Sequence, residues 1–271
     1  MRARRHAPEG DTRKTSPDTG KLGGTLCSFP GGMAELIQAL SDRLGERLRL
    51  GWRATSVSKQ NDGGFAVVGS DGSTEKADAV VVTCPAYGAA SLLAATESQT
   101  ARALESIPYA PIAVVCLGFP RSAVKHALDG FGFLVPRDQG IRLLGSIWVS
   151  SVFPCHAPDD TVSLRCMIGG ARDPDALNRS GESLQEIVLE EIRPILGISG
   201  DPIATRIFRY ARGIPQYNVG HVARIERIER SLWDLPGLFI IGNAYHGVGV
   251  NDCIREGKRK ARAIHELFRQ D

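Results

Sequence analysis

The chain has 271 residues, of which 42% are hydrophobic and 23% are charged. This apolar share excludes wholesale disorder, and the length is sufficient for one or two domains with a sizeable core. The net charge of +3 is small and partly concentrated in residues 1–21, and no basic stretch is interleaved with aromatic residues. We therefore expect no nucleic-acid partner.

Six cysteines are scattered along the chain, with no C-x-x-C pair and no histidines at zinc-ligand spacing. This pattern predicts a reducing compartment and no structural metal. The longest apolar runs, Ala79–Val82 and Pro111–Phe119, are far shorter than the ~20 residues that a membrane helix needs. We expect a cytoplasmic protein, associated at most peripherally with the inner face of the cell membrane.

Residues 1–21 are polar, contain Pro, Gly, Ser and Thr throughout, and predict a tail or loop. A helix is predicted next, because apolar residues recur at helical spacing from Met33 to Leu44 and Gly45 is a suitable stop. A β-rich block follows, with strands at Ala54–Lys59 and Phe65–Ser70 joined by a turn of Asn, Asp and Gly.

A third strand is predicted at Ala77–Thr83, and its apolar sequence indicates a strand covered on both faces. After an Ala/Leu-rich helix, three further segments predict strands of an antiparallel sheet: Pro111–Phe119, Arg142–Val149 and Thr161–Ile168. Ser183 and Glu186 form a capping-box pattern at the start of a helix that runs towards Pro194. The order of elements predicts an α/β block interrupted by an α+β insert.

The sharpest signal lies near the C-terminus, where the strand Leu238–Ile241 leads into a glycine-rich turn. Asn251 or Asp252 is expected to cap the helix that follows, whose first N–H groups suit an anionic or polar ligand edge. A backbone without Cβ atoms can approach a flat ligand closely, and three glycines stand here: Gly242, Gly247 and Gly249. The residues predict a cofactor-binding corner, and a purely structural corner is the alternative.

The segment Gly242–Ile254 resembles the C-terminal flavin motif of protoporphyrinogen oxidases. These are oxygen-dependent FAD enzymes of haem synthesis within the wider amine-oxidase-like flavoprotein group. Further segments match the family in order: Phe29–Met33, Val80–Ala86, Gly130–Pro136, Phe153–Pro158, Ile168–Arg172 and Ile214–His221. The resemblance extends from about Gly23 to Phe268.

The resemblance implies a two-lobed flavoprotein: α/β with an α+β insert, and a partial FAD/NAD(P)-binding fold. Residues 22–95 and 201–271 would form the partial FAD-binding domain. Residues 96–200 would form a substrate-binding domain with an antiparallel sheet. Residues 1–21 would lie outside both as a tail or loop.

The resemblance implies that FAD is the cofactor and that its adenosine end contacts the backbone of Val57. The flavin and its diphosphate would contact the turn, at Gly242, Asn243, Gly247, Val248, Gly249 and Val250. The helix from Asp252 would direct its positive end at the pyrimidine edge of the flavin. Tyr210 stands where many relatives carry a tryptophan beside the flavin.

The family's substrate is a hexahydro-porphyrin, a bulky apolar ring with two propionates. By resemblance, Leu134, Ile147 and Met167 would be apolar walls against this ring; the alternative is that all three are core residues. No general base is evident, because a lone histidine beside glycines, as at His221 and His246, is more often a hydrogen-bonded structural residue. Hydride abstraction by an oxidised flavin needs position more than an acid–base side chain, so the catalytic residues are left unassigned.

A strand followed by G-x-G-x-x-G and a helix, which should open such a flavoprotein, is not found in the 271 residues. The chain therefore resembles the C-terminal three-fifths of the family. The family's propionate-binding arginine and most of its membrane-facing segment belong to the other part. We expect weak or no FAD binding by the chain alone, and dependence on a missing N-terminal half or an oligomeric partner.

Three alternatives stay open at this point. The chain could derive from a coproporphyrinogen III oxidase, from a flavin enzyme acting on an amine or a polyene, or from a non-catalytic remnant that serves as a binding module. The aliphatic set Leu134, Ile147 and Met167 disfavours a small amine that needs an aromatic cage. It does not separate the two porphyrinogens.

Overall fold

The structure is a computed structural model that describes residues 26–269. The predicted tail at residues 1–21 lies outside the described residues. The helices of the structure are α1 Ala34–Leu44, α2 Ala86–Leu93, α3 Ser98–Glu105, α4 Val149–Val152, α5 Gly181–Leu196, α6 His221–Ser231 and α7 Val250–Leu267. Its strands are β1 Ala54–Lys59, β2 Phe65–Gly69, β3 Thr74–Ala77, β4 Val80–Val82, β5 Tyr109–Pro120, β6 Gly132–Leu134, β7 Leu143–Trp148, β8 Thr161–Gly169, β9 Ala204–Pro215 and β10 Leu238–Ile240.

Helix α1 confirms the helical spacing predicted from Met33 to Leu44 and ends at Gly45, whose φ of 52° suits glycine. Its apolar stripe is nevertheless not covered by any described residue, since α1 contains no buried side chain. Ile37 is 63% exposed and Leu40 is 52% exposed. The amphipathic pattern therefore predicted the helix correctly but not a contact for it.

Strands β1, β2 and β3 form an antiparallel meander in which β1 and β2 match the predicted hairpin. The prediction of one strand over Ala77–Thr83 was wrong. Ala77 closes β3 against β2, and β4 is a separate strand that pairs in parallel with β10. Val81 of β4 is exposed, so this strand is not covered on both faces. An apolar run does not reveal where the chain leaves one sheet for another.

One hydrophobic core surrounds the parallel pair β4–β10. Helices α2, α3 and α6 pack around it, and the hydroxyl groups of Thr100 on α3 and Ser231 on α6 lie 2.8 Å apart in a hydrogen bond. Buried side chains of this core come from all of these elements and from the meander, and they include Val57, Phe65, Val82, Leu93, Leu104, Ile228, Leu238 and Ile240. This core joins segments from both ends of the described chain.

A second core lies beneath a five-stranded antiparallel sheet with the order β6–β7–β8–β5–β9, which confirms the three predicted strands of the insert. Helix α5 packs on one face of this sheet through its apolar stripe. The core side chains include Leu184, Val188, Ile192 and Leu196 of the helix and Val115, Leu117, Leu164 and Ile168 of the sheet. Side chains alternate along each strand, so the intervening residues form the opposite face.

The capping box predicted at Ser183 was wrong by one turn, because Ser180 is the N-cap of α5 and its hydroxyl accepts the N–H of Ser183 at 3.1 Å. Helix α5 also continues past Pro194 to Leu196, where Gly197 ends it in a left-handed conformation. Ser183 was the less suitable of two serines at this helix start, since its own N–H needs the acceptor. Within residues 26–269, no helix is both long and apolar enough to cross a membrane.

Candidate functional site

The glycine-rich turn joins β10 to α7. Gly242 has a φ of 147° and Gly247 a φ of 143°, which favours glycine at both positions. A Cβ on Gly247 would lie 2.6 Å from the side chain of Asp252, so the turn's own packing requires a glycine there. Part of the glycine pattern therefore serves the turn itself.

Gly249 is the N-cap of α7, which corrects the predicted cap at Asn251 or Asp252. Asp252 lies inside the first turn, where its Oδ2 accepts the N–H of Gly249 at 3.2 Å. The carboxylate therefore complements the positive end of the helix dipole. A helix start with its own negative group suits a neutral, hydrogen-bonding ligand edge better than a phosphate.

Tyr217 holds the turn against the rest of the protein. Its hydroxyl donates to the carbonyl oxygen of Asn243 at 2.9 Å and accepts the N–H of Gly247 at 3.0 Å. Its ring stacks on His221, with 3.9 Å between centroids and 15° between planes. Burial raises the pKa of Tyr217 and lowers the pKa of His221. The sequence interpretation did not single out Tyr217, although it lies within the matched segment Ile214–His221.

The tip of the turn is open, since Val248 and Val250 expose much of their side chains. Behind the tip, Tyr245 is buried and its hydroxyl has no hydrogen-bond partner among the described residues. Burial also strongly raises the pKa of Tyr245, because the charged phenolate would lose its contact with water. A buried, unsatisfied hydroxyl is costly, so a group from a ligand or from another segment would be stabilised here.

Val57 lies in β1, and its side chain is buried in the same core as Tyr245. The N–H of Gln60 donates to the carbonyl of Gly64 at 3.0 Å, so the antiparallel alternation makes Val57 and Val67 a pair without mutual hydrogen bonds. The backbone groups of Val57 therefore point away from β2. Its carbonyl accepts the hydroxyl of Thr96 at 2.9 Å, which leaves its N–H as the donor on that edge.

The five-stranded sheet carries an apolar row on the face opposite α5. The row crosses all five strands in register through Leu134, Gly145, Met167, Val114 and Phe208. We call this set the apolar row. Leu134 is 80% exposed, and neither hydrophobic core includes any of these five residues.

The structure brings the three predicted substrate residues together on this face. Leu134 and Met167 belong to the apolar row, and Ile147 lies in register with Gly132, two residues along from Gly145. The alternative that they are core residues is not what the structure shows. Val114 and Phe208 were missed, although strand alternation around Tyr210 would have placed Phe208 on the face that carries Tyr210.

Tyr210 is exposed on β9, in register with Ile112 of β5 and two residues from Phe208. Tyr217 follows on the same segment after β9 and contacts the turn. The chain from β9 to Tyr217 therefore connects the uncovered sheet face to the glycine-rich turn. Within residues 26–269, no cluster of three or more His, Cys, Asp or Glu residues could hold a metal ion.

Comparison with known proteins places these features in context. The family described as flavin containing amine oxidoreductase matches residues 15–265. The chain is 32% identical to a chloroplastic protoporphyrinogen oxidase from Oryza sativa subsp. japonica, over 98% of this chain and 52% of the relative. It is 30% identical to a coproporphyrinogen III oxidase from Bacillus subtilis, over 91% of this chain and 53% of the relative.

A solved structure of a putative protoporphyrinogen oxidase from Exiguobacterium sp. 255-15 is similar in fold, with a TM-score of 0.74 and 29% identity. The match covers 88% of this chain and 51% of that protein. The chain thus spans about half the length of the curated relatives it matches. The expected amine-oxidase-like flavoprotein fold is confirmed. The match over nearly all of its length shows that the chain belongs to the flavin containing amine oxidoreductase family.

Proposed function

We propose that this chain provides the substrate face and part of the flavin site of an FAD-dependent porphyrinogen oxidase. The proposed reaction is the oxidation of protoporphyrinogen IX to protoporphyrin IX with oxygen, a step of haem synthesis. One observation carries the proposal: within residues 26–269, an apolar face of the five-stranded sheet lies outside both hydrophobic cores and is joined through Tyr217 to a glycine-rich turn. A flat apolar macrocycle is the kind of ligand that such a face binds by area.

The residues at the turn fit a flavin in several respects. The exposed tip, the positive φ angles and the first N–H groups of α7 allow backbone contact with a flat, hydrogen-bonding edge. The proposed contacts are Val57 at the adenosine, Tyr210 beside the ring, and the turn residues Gly242, Asn243, Gly247, Val248, Gly249 and Val250. When bound, FAD would supply the hydride acceptor. The diphosphate would lie away from the start of α7, because the Asp252 carboxylate there would repel it.

The substrate ring would lie on the apolar row. Leu134, Ile147 and Met167 would contact it from β6, β7 and β8, since they share one face of the sheet. These side chains add no acid or base, and nothing in the proposed role requires one, because their task is to hold the ring in position. Val114 and Phe208 would extend the same contact towards β9.

The two hydrophobic cores support a division into two domains. We propose that residues 22–95 and 201–271 form the partial FAD-binding domain and that residues 96–200 form the substrate-binding domain. Two elements depart from this simple boundary. Helix α3 lies within residues 96–200 but packs in the core around β4 and β10. Strand β9 follows residue 200 but pairs with β5 in the substrate sheet, so β9 serves as the crossing between the two domains.

The matched relatives are about twice as long as the segment that this chain covers. We also propose that activity requires the part of the fold that this segment does not include. Strand β10 pairs only with β4 in residues 26–269, so its other edge is open to a further strand. Beside it lies a cavity of about 460 Å³ between α6, β10 and α7, lined mainly by apolar side chains together with Tyr245, Glu229, His246 and Lys260. An N-terminal half, or a partner chain that supplies the same elements, would cover this region. Peripheral membrane contact would belong to that complete assembly in the cytoplasm.

The first experiment compares the chain alone with the chain co-produced with the N-terminal half of a matched relative. We expect little or no FAD in the chain alone. The assembled form is expected to hold FAD and to convert protoporphyrinogen to fluorescent protoporphyrin while consuming oxygen. Stoichiometric flavin in the isolated chain would contradict the need for the second half. A flavin-loaded assembly that is inert on both porphyrinogens would overturn the proposed reaction.

The substrate face is tested separately by Leu134→Asn. Leu50→Asn is a matched control, because Leu50 is 82% exposed and lies outside the five-stranded sheet. We expect Leu134→Asn to weaken protoporphyrin binding roughly tenfold, since a buried leucine contact is worth about 1.5–3 kcal/mol. Leu50→Asn should bind as the wild type does. Equal binding by the two variants would place the porphyrin elsewhere.

The second candidate reaction is the oxidation of coproporphyrinogen III. It is favoured by the similarity to the Bacillus subtilis coproporphyrinogen III oxidase. The assembled enzyme should be offered both porphyrinogens, and the ratio of the two kcat/KM values decides between them. The binding-module alternative predicts porphyrin binding without oxygen consumption in the same assay.

A further inference from the structure

A second row of side chains lies beside the apolar row on the same sheet face. Arg165 of β8 and Arg206 of β9 are both in register with Cys116 of β5. Each arginine is two residues from a member of the apolar row, Met167 and Phe208 respectively, so it shares that face. Neighbouring strands are about 4.8 Å apart, which places the two arginine backbones roughly 10 Å apart.

Both arginine residues are exposed, and neither guanidinium has a hydrogen bond or ion pair with any residue in the described range 26–269. Other arginines of the insert differ. Arg142 forms an ion pair with Asp173, and Arg121 donates to backbone carbonyls. Two unpaired guanidinium groups beside an apolar surface are therefore free to bind an anion.

The surroundings favour such a ligand. Arg165 lines a cavity of about 640 Å³ and Arg206 lines an adjoining one of about 270 Å³. The two cavities share Cys116, Ser163 and the segment 156–158, and neither is lined by an acidic residue. The shared wall is held in place, because His156 Nε2 lies 2.8 Å from the carbonyl oxygen of Phe29. An anion in these cavities would meet positive charge without a competing carboxylate.

We propose that Arg165 and Arg206 bind carboxylate groups along one side of the substrate while its ring lies on the apolar row. This inference rests on the proposed function. Backbones about 10 Å apart leave room for each guanidinium to bind a carboxylate of its own. The arrangement fits a flat macrocycle with at least two carboxylate arms, because the planar fork of each arginine can hold one carboxylate in a bidentate pair.

The test uses coproporphyrin III as a non-reacting probe with four carboxylates, and its tetramethyl ester as an uncharged twin. Both are titrated into the 271-residue chain in the same mild detergent, with porphyrin fluorescence as the readout. We expect Arg165→Gln and Arg206→Gln each to weaken binding of the acid roughly tenfold. Binding of the ester should not change, and added salt should weaken only the acid.

Arg209→Gln is the matched control, because Arg209 lies on β9 three residues from Arg206 and on the other face, where it donates to the carbonyl of Arg179. It should bind both probes as the wild type does, with an unchanged far-ultraviolet CD spectrum in all variants. If the wild type binds acid and ester equally and the variants follow it, the arginine proposal is overturned while porphyrin binding stands. If the wild type binds neither probe, the arginine proposal is overturned, while the proposed reaction is decided separately by the activity of the assembled form.

Discussion

The side chain of Tyr217 connects the segment that follows β9 to the glycine-rich turn. Its hydroxyl satisfies the N–H of Gly247 and the carbonyl of Asn243, and its ring stacks on His221. Neither polar group has another hydrogen bond that would replace this one within the turn. Two hydrogen bonds between this segment and the turn therefore end on one hydroxyl group.

We predict that Tyr217→Phe, which keeps the ring and removes both hydrogen bonds, lowers the free energy of unfolding by about 1–3 kcal/mol. Chemical denaturation followed by CD measures this change. Tyr87→Phe is the control, because Tyr87 also packs by its ring, against Tyr109 and Arg212, and its hydroxyl forms no hydrogen bond within the described residues. Equal stability of the two variants would mean that the Tyr217 hydroxyl does not hold the turn.

For single residues, residue type and spacing predicted which positions matter more accurately than the physical reason why each residue is needed there. The glycines of the turn were predicted from the need for close ligand approach, yet Gly247 is required because Asp252 folds back onto the turn. The face shared by Leu134, Ile147 and Met167 could not be derived from spacing along the chain. It depends on the register of three strands, which pairs residues far apart in sequence.

Between elements, the contact of α5 with β7 includes an uncommon polar arrangement. Glu191 of α5 accepts the backbone N–H of Arg142 at 2.8 Å with one oxygen and that of Leu143 at 2.9 Å with the other. The carboxylate thus serves as an acceptor for the start of β7, where the strand would otherwise leave two donors unsatisfied. It adds a polar contact between helix and sheet to the apolar contact formed by the core side chains.

We predict that Glu191→Ala lowers the free energy of unfolding by about 2–3 kcal/mol, because charge-assisted hydrogen bonds are lost and two N–H groups lose their acceptor. Glu190→Ala is the control at the neighbouring position, which is exposed and forms no hydrogen bond with a described residue. Denaturant titrations of both variants measure the difference. A loss of the same size at Glu190 would show that helix propensity, not the acceptor role, is responsible.

Elements whose formation depends on nearby residues were predicted more accurately than elements that depend on pairing with distant segments. The β1–β2 hairpin was predicted to within one residue, because its Asn-Asp-Gly-Gly turn and alternating strands are local signals. The break between β3 and β4 was not, because it is set by the parallel pairing of Val80 with Leu238 from the distant end of the chain. Pairing partners that distant leave no trace in a short apolar segment.

For the whole molecule, the two cores account for the stability of the insert and of the β4–β10 region, but not for α1. This helix presents Ile37, Leu40 and Leu44 to solvent with no covering element in residues 26–269. Contiguous exposed apolar groups of this kind promote association. Helix α1 and the open edge of β10 are thus two surfaces through which the chain can acquire contacts.

We predict that the 271-residue chain self-associates through α1 when no other protein covers the helix. Sedimentation velocity at two concentrations should show a growing oligomer fraction. Ile37→Glu combined with Leu40→Glu should weaken association at least roughly tenfold, because burying one such side chain contributes about 1.5–3 kcal/mol. Gln38→Glu combined with Ala39→Glu adds the same charge to exposed positions of α1 outside this stripe and should associate like the wild type. A wild type that is monomeric at both concentrations, or two double variants that dissociate equally, would exclude the apolar stripe as the contact surface.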